Sequence, residues 1–318
     1  MKKRILALGF ILVFALGSTA LAAQTFVTIG SGGVGGTYYP LGGVMAELLS
    51  KSGVNIRANS RSTSASRENC RLVASDQVQI GMTMGSTLWQ AYNGTDAFKD
   101  DGKLDLLTLM HMYAAPQHFV TTTRTGIKTF EDMKGKKISV GAPGGGDQVL
   151  TNMILAAAGW TDKDYQKQQL TQPEAVTALK DGNLDVAVFN FAVPGSAVME
   201  IAAVRDVVLI SIPDDVIAKV VAENPFMMPF TIPANTYAKQ PEECKVVADG
   251  NFLVVSSKLA DQVAYDSVKV FIEKREELQK TTPHAAQFVP EKSGIGIIPF
   301  HPGAAKYFGE NGVTVQTK

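Results

Sequence analysis

The sequence predicts an α/β protein of two lobes, each an open sheet flanked by helices, with a ligand cleft between the lobes. Three observations predict this. Residues 25–84 alternate short β-branched or apolar runs with helix patterns, the rhythm of an open sheet whose strands are joined through helices. Residues 129–190 repeat that rhythm around a second glycine-rich loop. The stretch MMPFTIPANTY (227–237), interrupted by Pro229 and Pro233, reads as a return crossing, and a closing segment that rejoins the first lobe makes two linkers and a hinge. The expected division is 24–118 with 230–318 as lobe one and 119–229 as lobe two.

The chain opens with Lys2, Lys3 and Arg4, an apolar run from Ile5 to Leu16 and small residues at Ala20-Leu21-Ala22-Ala23, the layout of a secretory signal peptide over residues 1–23. The apolar run is short of the roughly 20 residues that span a bilayer, so a cleaved leader and a periplasmic mature chain are expected over a retained anchor. TFVTIG (25–30) then reads as a strand running into GSGGVGGTYYPLGG (30–43), and YPLGGVMAELLSKSG (39–53) as a helix. A second strand, VNIRAN (54–59), leads to the turn SRSTSAS (60–66), where Thr63, Ser64 or Ser66 can cap a helix over RENCRLVASDQ. VQIGMTM (78–84) is a short buried strand. LDLLTLMHMY and QHFVTTT read as two extended runs separated by Ala114-Ala115-Pro116.

In the second unit a short helix, a Gly-Lys-Lys turn and the strand KISVGA precede Gly144-Gly145-Gly146, with a helix from near Asp147. TQPEAVTALKDGNLDVAVFN (171–190) repeats helix, turn and strand and ends at Asn190. CKVVADGNFLVVSS is extended, ADQVAYDSVKVFIEKREELQKT (260–281) is one amphipathic helix, and GIIPFHPGAAKYFGENG closes the chain.

Composition excludes several functions. Thirty basic and thirty acidic residues cancel, with no basic block, so nucleic acid is not an expected partner. Gly30, Gly32 and Gly35 match G-x-G-x-x-G, but the following strand VNIRANS lacks the acidic residue that holds a ribose, and Tyr38, Tyr39 and Pro40 crowd the place of a pyrophosphate. Nicotinamide binding is therefore not expected, and no cofactor is. His111, His118, His284 and His301 form no metal-ligand spacing. No G-x-S-x-G elbow marks a hydrolase. Cys70 and Cys244 leave two readings open in an oxidising compartment, a disulfide or two separate buried thiols. What remains is anion recognition by backbone amides at helix N-termini, where glycines allow a carboxylate to approach closely and two such loops hold the two ends of a small acid.

In order, IGSGGVGGTYYPLGG, SASRENCRLVAS, AYNGT, FEDMKGKKISVGAPGGG, ALKDGNLDVAVF and PFHPGAAKYFGENG resemble the TAXI family of solute-binding proteins that serve TRAP transporters. The resemblance covers residues 26 to 312. It implies a two-lobe periplasmic-binding-protein fold and a small organic anion or amino acid, glutamate-like or a dicarboxylate, as ligand. It also implies delivery to sodium-driven TRAP membrane subunits. Carried over by position, the ligand-facing residues are Gly36, Thr37, Tyr38, Ser64, Asn69, Ser86, Gln117, Gly144, Gly145, Gly146, Asp147, Gln148 and Asn190. The chain departs from the family where it reads Met84-Gly85-Ser86 in place of Gln-Ser-Asp, and Gly144-Gly145-Gly146-Asp147 in place of Gly-Ser-Gly-Thr. Asp147 then either caps its helix or faces the cleft, where it disfavours a ligand carboxylate. An exported ligand-sensing receptor and an exported hydrolase are the alternatives.

Overall fold

A computed structural model describes residues 24–34, 37–142 and 146–317. The expected leader, residues 1–23, lies outside the described residues. The first unit runs β1 (Thr25–Gly30), α1 (Tyr38–Lys51), β2 (Ile56–Arg61), α2 (Ser66–Ala74), β3 (Ile80–Met84) and α3 (Gly85–Asn93). A long strand β4 (Leu107–Thr122) leads into β5 (Lys137–Ser139), α4 (Gly146–Ala157), β6 (Gln166–Gln168), α5 (Gln172–Asp181), β7 (Val186–Asn190), α6 (Ser196–Ala202), β8 (Val207–Leu209) and α7 (Asp214–Glu223). The chain returns through β9 (Met227–Ile232) and β10 (Cys244–Val255). It ends with α8 (Asp261–Glu273), α9 (Arg275–Gln279), α10 (Pro290–Ser293) and α11 (Pro302–Glu310).

The strands follow one path, β2-β1-β3-β10-β4-β7-β5-β6, with β8 added to β4 and β9 to β10. β2, β1 and β3 are parallel, as are β7, β5 and β6, while β4 and β10 run antiparallel to their neighbours in the centre. The parallel blocks follow from the sequence, because each strand is separated from the next by a helix that carries the chain back.

Two of the expected elements differ. The two runs around Ala114-Ala115-Pro116 form one strand, β4, every residue of which is buried. Pro116 pairs Ala248 at the end of the β10 ladder, and the β7 ladder begins one residue on, at Gln117 opposite Asn190. A missing ladder bond costs about 1 kcal/mol, whereas burial of each of Leu109, Met110, Met112 and Phe119 contributes about 1.5–3 kcal/mol. Burial wins and the strand continues through the proline. The single helix expected over 260–281 is instead α8 and α9, which meet at Lys274. The 227–237 stretch forms β9 over its first half, paired with β10.

The apolar interior divides where β4 and β10 pass between lobes. Leu107 to Tyr113 of β4 and Leu253 and Val255 of β10 join a cluster with β1, α1, α8 and α11. Phe119 and Val120, with Val246 and Val247, join a second cluster with α4, α5, β7 and α7. Cys70 lies in a third cluster with Phe98 and Phe252, and Cys244 in the second. Both thiols are free and buried, so the separate-thiol reading holds. Burial pushes the Cys70 thiol up to about 12 and the Cys244 thiol up to about 11, which leaves both as unreactive thiols at neutral pH.

Ellman's reagent at pH 8 should therefore find almost no reactive thiol in the native protein, and both thiols after denaturation in guanidinium without reductant. Absence of free thiol in the denatured protein would establish a disulfide instead.

Candidate functional site

Because β1, β2 and β3 are parallel and each passes directly toward a helix, the N-termini of α1, α2 and α3 gather at one edge of the sheet. Thr37 and Tyr38 at the start of α1, Ala65 and Ser66 at the start of α2, and Met84 before α3 line one cavity of 220 Å³. The opposing wall comes from the crossing strands and the end of β7: Tyr113 and Ala115 of β4, Asn251 of β10, and Asn190, Phe191 and Ala192. This is where open α/β sheets bind ligands, outside the carboxyl ends of their strands. A second cavity of 630 Å³ shares Ala65, Ser66 and Met84 with the first and adds Ser64, Arg67, Glu68, Arg71, Ser86, Thr87 and Gln90, with Val149 of α4 across from them. The two spaces adjoin, an inner chamber against the crossing strands β4 and β10 and an outer one along α2 and α3. A larger cavity, 780 Å³, lies elsewhere, between β8 and residues 239–245, and is lined by none of the sequence-predicted residues.

The inner chamber is held by polar side chains that bond to one another. The Tyr38 hydroxyl donates to Asn251 Oδ1, Asn251 Nδ2 donates to the Tyr113 carbonyl at 3.4 Å, and Asn190 Nδ2 donates to the Ala115 carbonyl at 2.8 Å. Burial raises the phenols of Tyr38 and Tyr113 well above their ordinary range, so both stay protonated. Phe191 rests on the His118 imidazole at 4.6 Å between ring centres. His118 Nδ1 donates to the Pro116 carbonyl (2.9 Å), so Nε2 accepts from the Tyr237 hydroxyl (2.9 Å), whose oxygen accepts from the Gly195 N–H (2.9 Å). Burial lowers this imidazole to about 4. It is a neutral structural ring at physiological pH.

Of the residues expected to face a ligand, the structure brings Thr37, Tyr38 and Asn190 to the inner chamber and Ser64 and Ser86 to the outer one. Gly36, Gly144 and Gly145 lie outside the described residues, and Gly146 opens α4. Gln148 sits in the first turn of the same helix.

Asn69 is corrected. It is fully buried, its Nδ2 donates to the carbonyls of Ser31 and Met82 (both 2.7 Å) and its Oδ1 accepts from Thr63 Oγ1 (2.8 Å). Every one of these bonds ties β1, β3 and the turn before α2 together. Gln117 is likewise turned inward, donating to Thr151 Oγ1 (2.8 Å) and the Asp147 carbonyl (3.3 Å).

Ser64 bonds Glu68 through both its N–H (2.7 Å) and its hydroxyl (2.6 Å), while Thr63 Oγ1 accepts from the Ala65 N–H. The cap residue itself is Ala65, with no side-chain bond, so the turn is closed by Glu68 reaching back to Ser64. Asp147 is the second residue of α4, and its carboxylate accepts from the backbone N–H of Asn190. Burial outweighs that bond and raises its pKa to about 6.

Ser86 serves Asp249. Its N–H approaches both carboxylate oxygens at 3.2 Å and its hydroxyl donates to Oδ2 at 2.6 Å, so a carboxylate from β10 caps α3. A Cβ on Gly85 would stand 2.6 Å from Asp249 Oδ1, which is why glycine opens this helix. Complete burial drives the Asp249 carboxyl up to about 7, against the bonds from Ser86, Gly85 and Gly250. The residues missed by sequence reading are Ser66, Tyr113, Phe191, Asp249 and Asn251. A signal for the last two was present, since Asp249 and Asn251 interrupt an otherwise apolar strand in CKVVADGNFLVV.

Among the described residues no group of three or more His, Cys, Asp or Glu is placed to hold a metal ion. Among them, too, no helix is long and apolar enough to cross a membrane.

The parallel blocks, the two crossing strands and the cavity at the strand ends define the α/β fold of periplasmic solute-binding proteins. The chain belongs to the NMT1-like family, whose model matches residues 29–312. In structure it is similar to the periplasmic aliphatic sulphonate-binding protein SsuA of Escherichia coli, with 16% identity over 90% of this chain and 79% of that one and a TM-score of 0.50. It is also similar to the periplasmic sulfonate-binding protein SsuA of Methylobacillus flagellatus KT, with 17% identity over 82% of this chain and 72% of that one and a TM-score of 0.50.

Two measurements check the roles of the buried polar groups. Asn69→Ala should destabilise the fold by about 2–4 kcal/mol in urea unfolding, because it strands two buried carbonyls. Between about pH 4 and pH 7 folded Asp249 keeps a proton that the unfolded chain has lost, so this carboxyl lowers stability as pH rises through that window. The slope reaches about 1.4 kcal/mol per pH unit. Asp249→Asn should flatten the stability curve over pH 4–7.

Proposed function

We propose that the mature chain is an exported solute-binding protein that captures a small organic anion or amino acid and delivers it to the sodium-driven membrane subunits of a TRAP transporter. The observation that carries the capturing role is the convergence of three helix N-termini on a chamber crossed by β4 and β10. The starts of α1 and α2, which carry no side-chain cap, offer N–H groups and the positive end of a dipole to an anion, whereas the start of α3 is already capped by Asp249. The assignment to TRAP subunits rests on the TAXI-like motifs, chiefly GGTYYPLGG and HPGAAKYF. Export rests on the basic and apolar pattern of residues 1–23.

In this reading the lobes are residues 24 to about 116 with about 250 to 318, and about 118 to 248. β4 and β10 are the hinge strands, since the apolar clusters change over there. Return to the first lobe then falls within β10, later than residue 230. Tyr38 and Asn190 wall the chamber, and the glycine loops at Gly36 and at Gly144 to Gly146 supply backbone amides.

A thermal-shift screen of dicarboxylates, 2-oxoacids, other monocarboxylates and amino acids tests this. One strong stabiliser is expected, since a ligand at about 100 times its Kd adds about 2.7 kcal/mol. Mass spectrometry of small molecules co-purifying with the native protein gives a second readout. Absence of both a stabiliser and a co-purified molecule would overturn the proposal.

A further inference from the structure

The two chambers differ in charge, and the difference constrains the ligand. Among its lining residues the inner chamber has no Lys, Arg, His, Asp or Glu. Three of its polar side chains direct a donor to protein acceptors, Tyr38 to Asn251, Asn251 to Tyr113 and Asn190 to Ala115, while the Thr37 hydroxyl faces the chamber as an uncharged group. A carboxylate placed there would meet helix-start amides but no cationic side chain, whereas the outer chamber offers it a guanidinium. Aromatic and small apolar groups make up the rest of its wall: Tyr113, Phe191, Met84, Ala115 and Ala192.

The outer chamber carries three charged side chains on its wall, Arg67, Glu68 and Arg71. Two of them are engaged. Glu68 binds Ser64, and Arg71 binds Asp101 and the Ala97 carbonyl. Among the described residues Arg67 has no ion-pair partner. It stands one residue into α2, beside Ser66, which both chambers share.

We infer that the site takes a monocarboxylate with an uncharged aromatic tail, its acid group held in the outer chamber at Arg67 and its ring seated in the inner one. The size agrees. An apolar cavity of about 150 Å³ accepts a benzene ring, so 220 Å³ holds a phenyl group and a short linker. A glutamate or a short dicarboxylate, charged at both ends, has to place one charged group against the uncharged wall. The inference rests on the solute-binding reading above and narrows its ligand class.

The test is isothermal titration calorimetry of the mature full-length chain with 3-phenylpropionate, 3-phenylpropanol, L-glutamate and succinate. Expected is binding of 3-phenylpropionate at least tenfold tighter than glutamate or succinate, with the alcohol weaker by a similar factor. Arg67→Ala, an exposed substitution, should weaken 3-phenylpropionate at least tenfold, and Arg67→Lys should restore part of the loss. Ala115→Leu, which fills the inner chamber, should exclude 3-phenylpropionate, provided its circular dichroism spectrum and melting curve are those of a folded protein. Tighter binding of glutamate or succinate, or unchanged affinity in Arg67→Ala, overturns the inference and leaves the solute-binding role standing. So does failure of all four probes to bind while another small molecule co-purifies. Absence of any ligand by both methods overturns the inference together with the broader proposal.

Discussion

The antiparallel pairing of β4 with β10 is the constraint on which the rest of the structure depends. Both strands are buried nearly end to end, so each needs apolar cover on two faces and hydrogen-bonded neighbours on two edges. One block of parallel strands supplies this at one end and a second block at the other. With cover from different helices at the two ends, two apolar clusters form, and the stretch between them is where polar side chains accumulate. Asn251, Asp249, Gln117 and His118 all lie on these two strands near the change of cluster.

Those polar groups are costly to bury and are kept because each is bonded. Asp249 caps α3, Asn251 receives the Tyr38 hydroxyl, and His118 links Pro116 to Tyr237 and thence to Gly195. The effect is to fix the helix starts and the Phe191 segment relative to the crossing strands, so that the chamber between them has a defined shape. The same bonding occupies donors of Tyr38, Asn190 and Asn251 in the inner chamber, and among the described residues Arg67 carries positive charge without an ion-pair partner on the outer side. Charge distribution in the cleft is therefore a by-product of how the crossing is held.

Much of the fold was legible. The order of strands and helices through residue 84, the strand ending at Asn190 and the start of α4 near Asp147 all follow from the period of apolar residues and the placing of glycines. Pro116 misled, since a proline stops a strand only where the lost ladder bond outweighs what burial returns. For the candidate site, the glycine loop led to Thr37 and Tyr38, which line the inner chamber, because a strand that turns into a helix exposes that helix's first residues at the sheet edge. Asn69 is turned into the fold and Ser86 also caps a distant strand's carboxyl, because a polar residue near a helix start looks the same in sequence whether it bonds a ligand or a distant part of the chain.

The sequence alone thus determined which segments alternate as strand and helix and that their junctions, rich in glycine and hydroxyls, are the candidate places for a ligand. These are local properties, set by side-chain period and backbone freedom. Tertiary structure decided which junctions face one another, that Asn251 and Tyr113 stand opposite Tyr38, and which polar groups are already satisfied. Partners such as Tyr38 and Asn251 are 213 residues apart. The pairing of β10 with β3, itself beside β1, brings them within hydrogen-bonding reach.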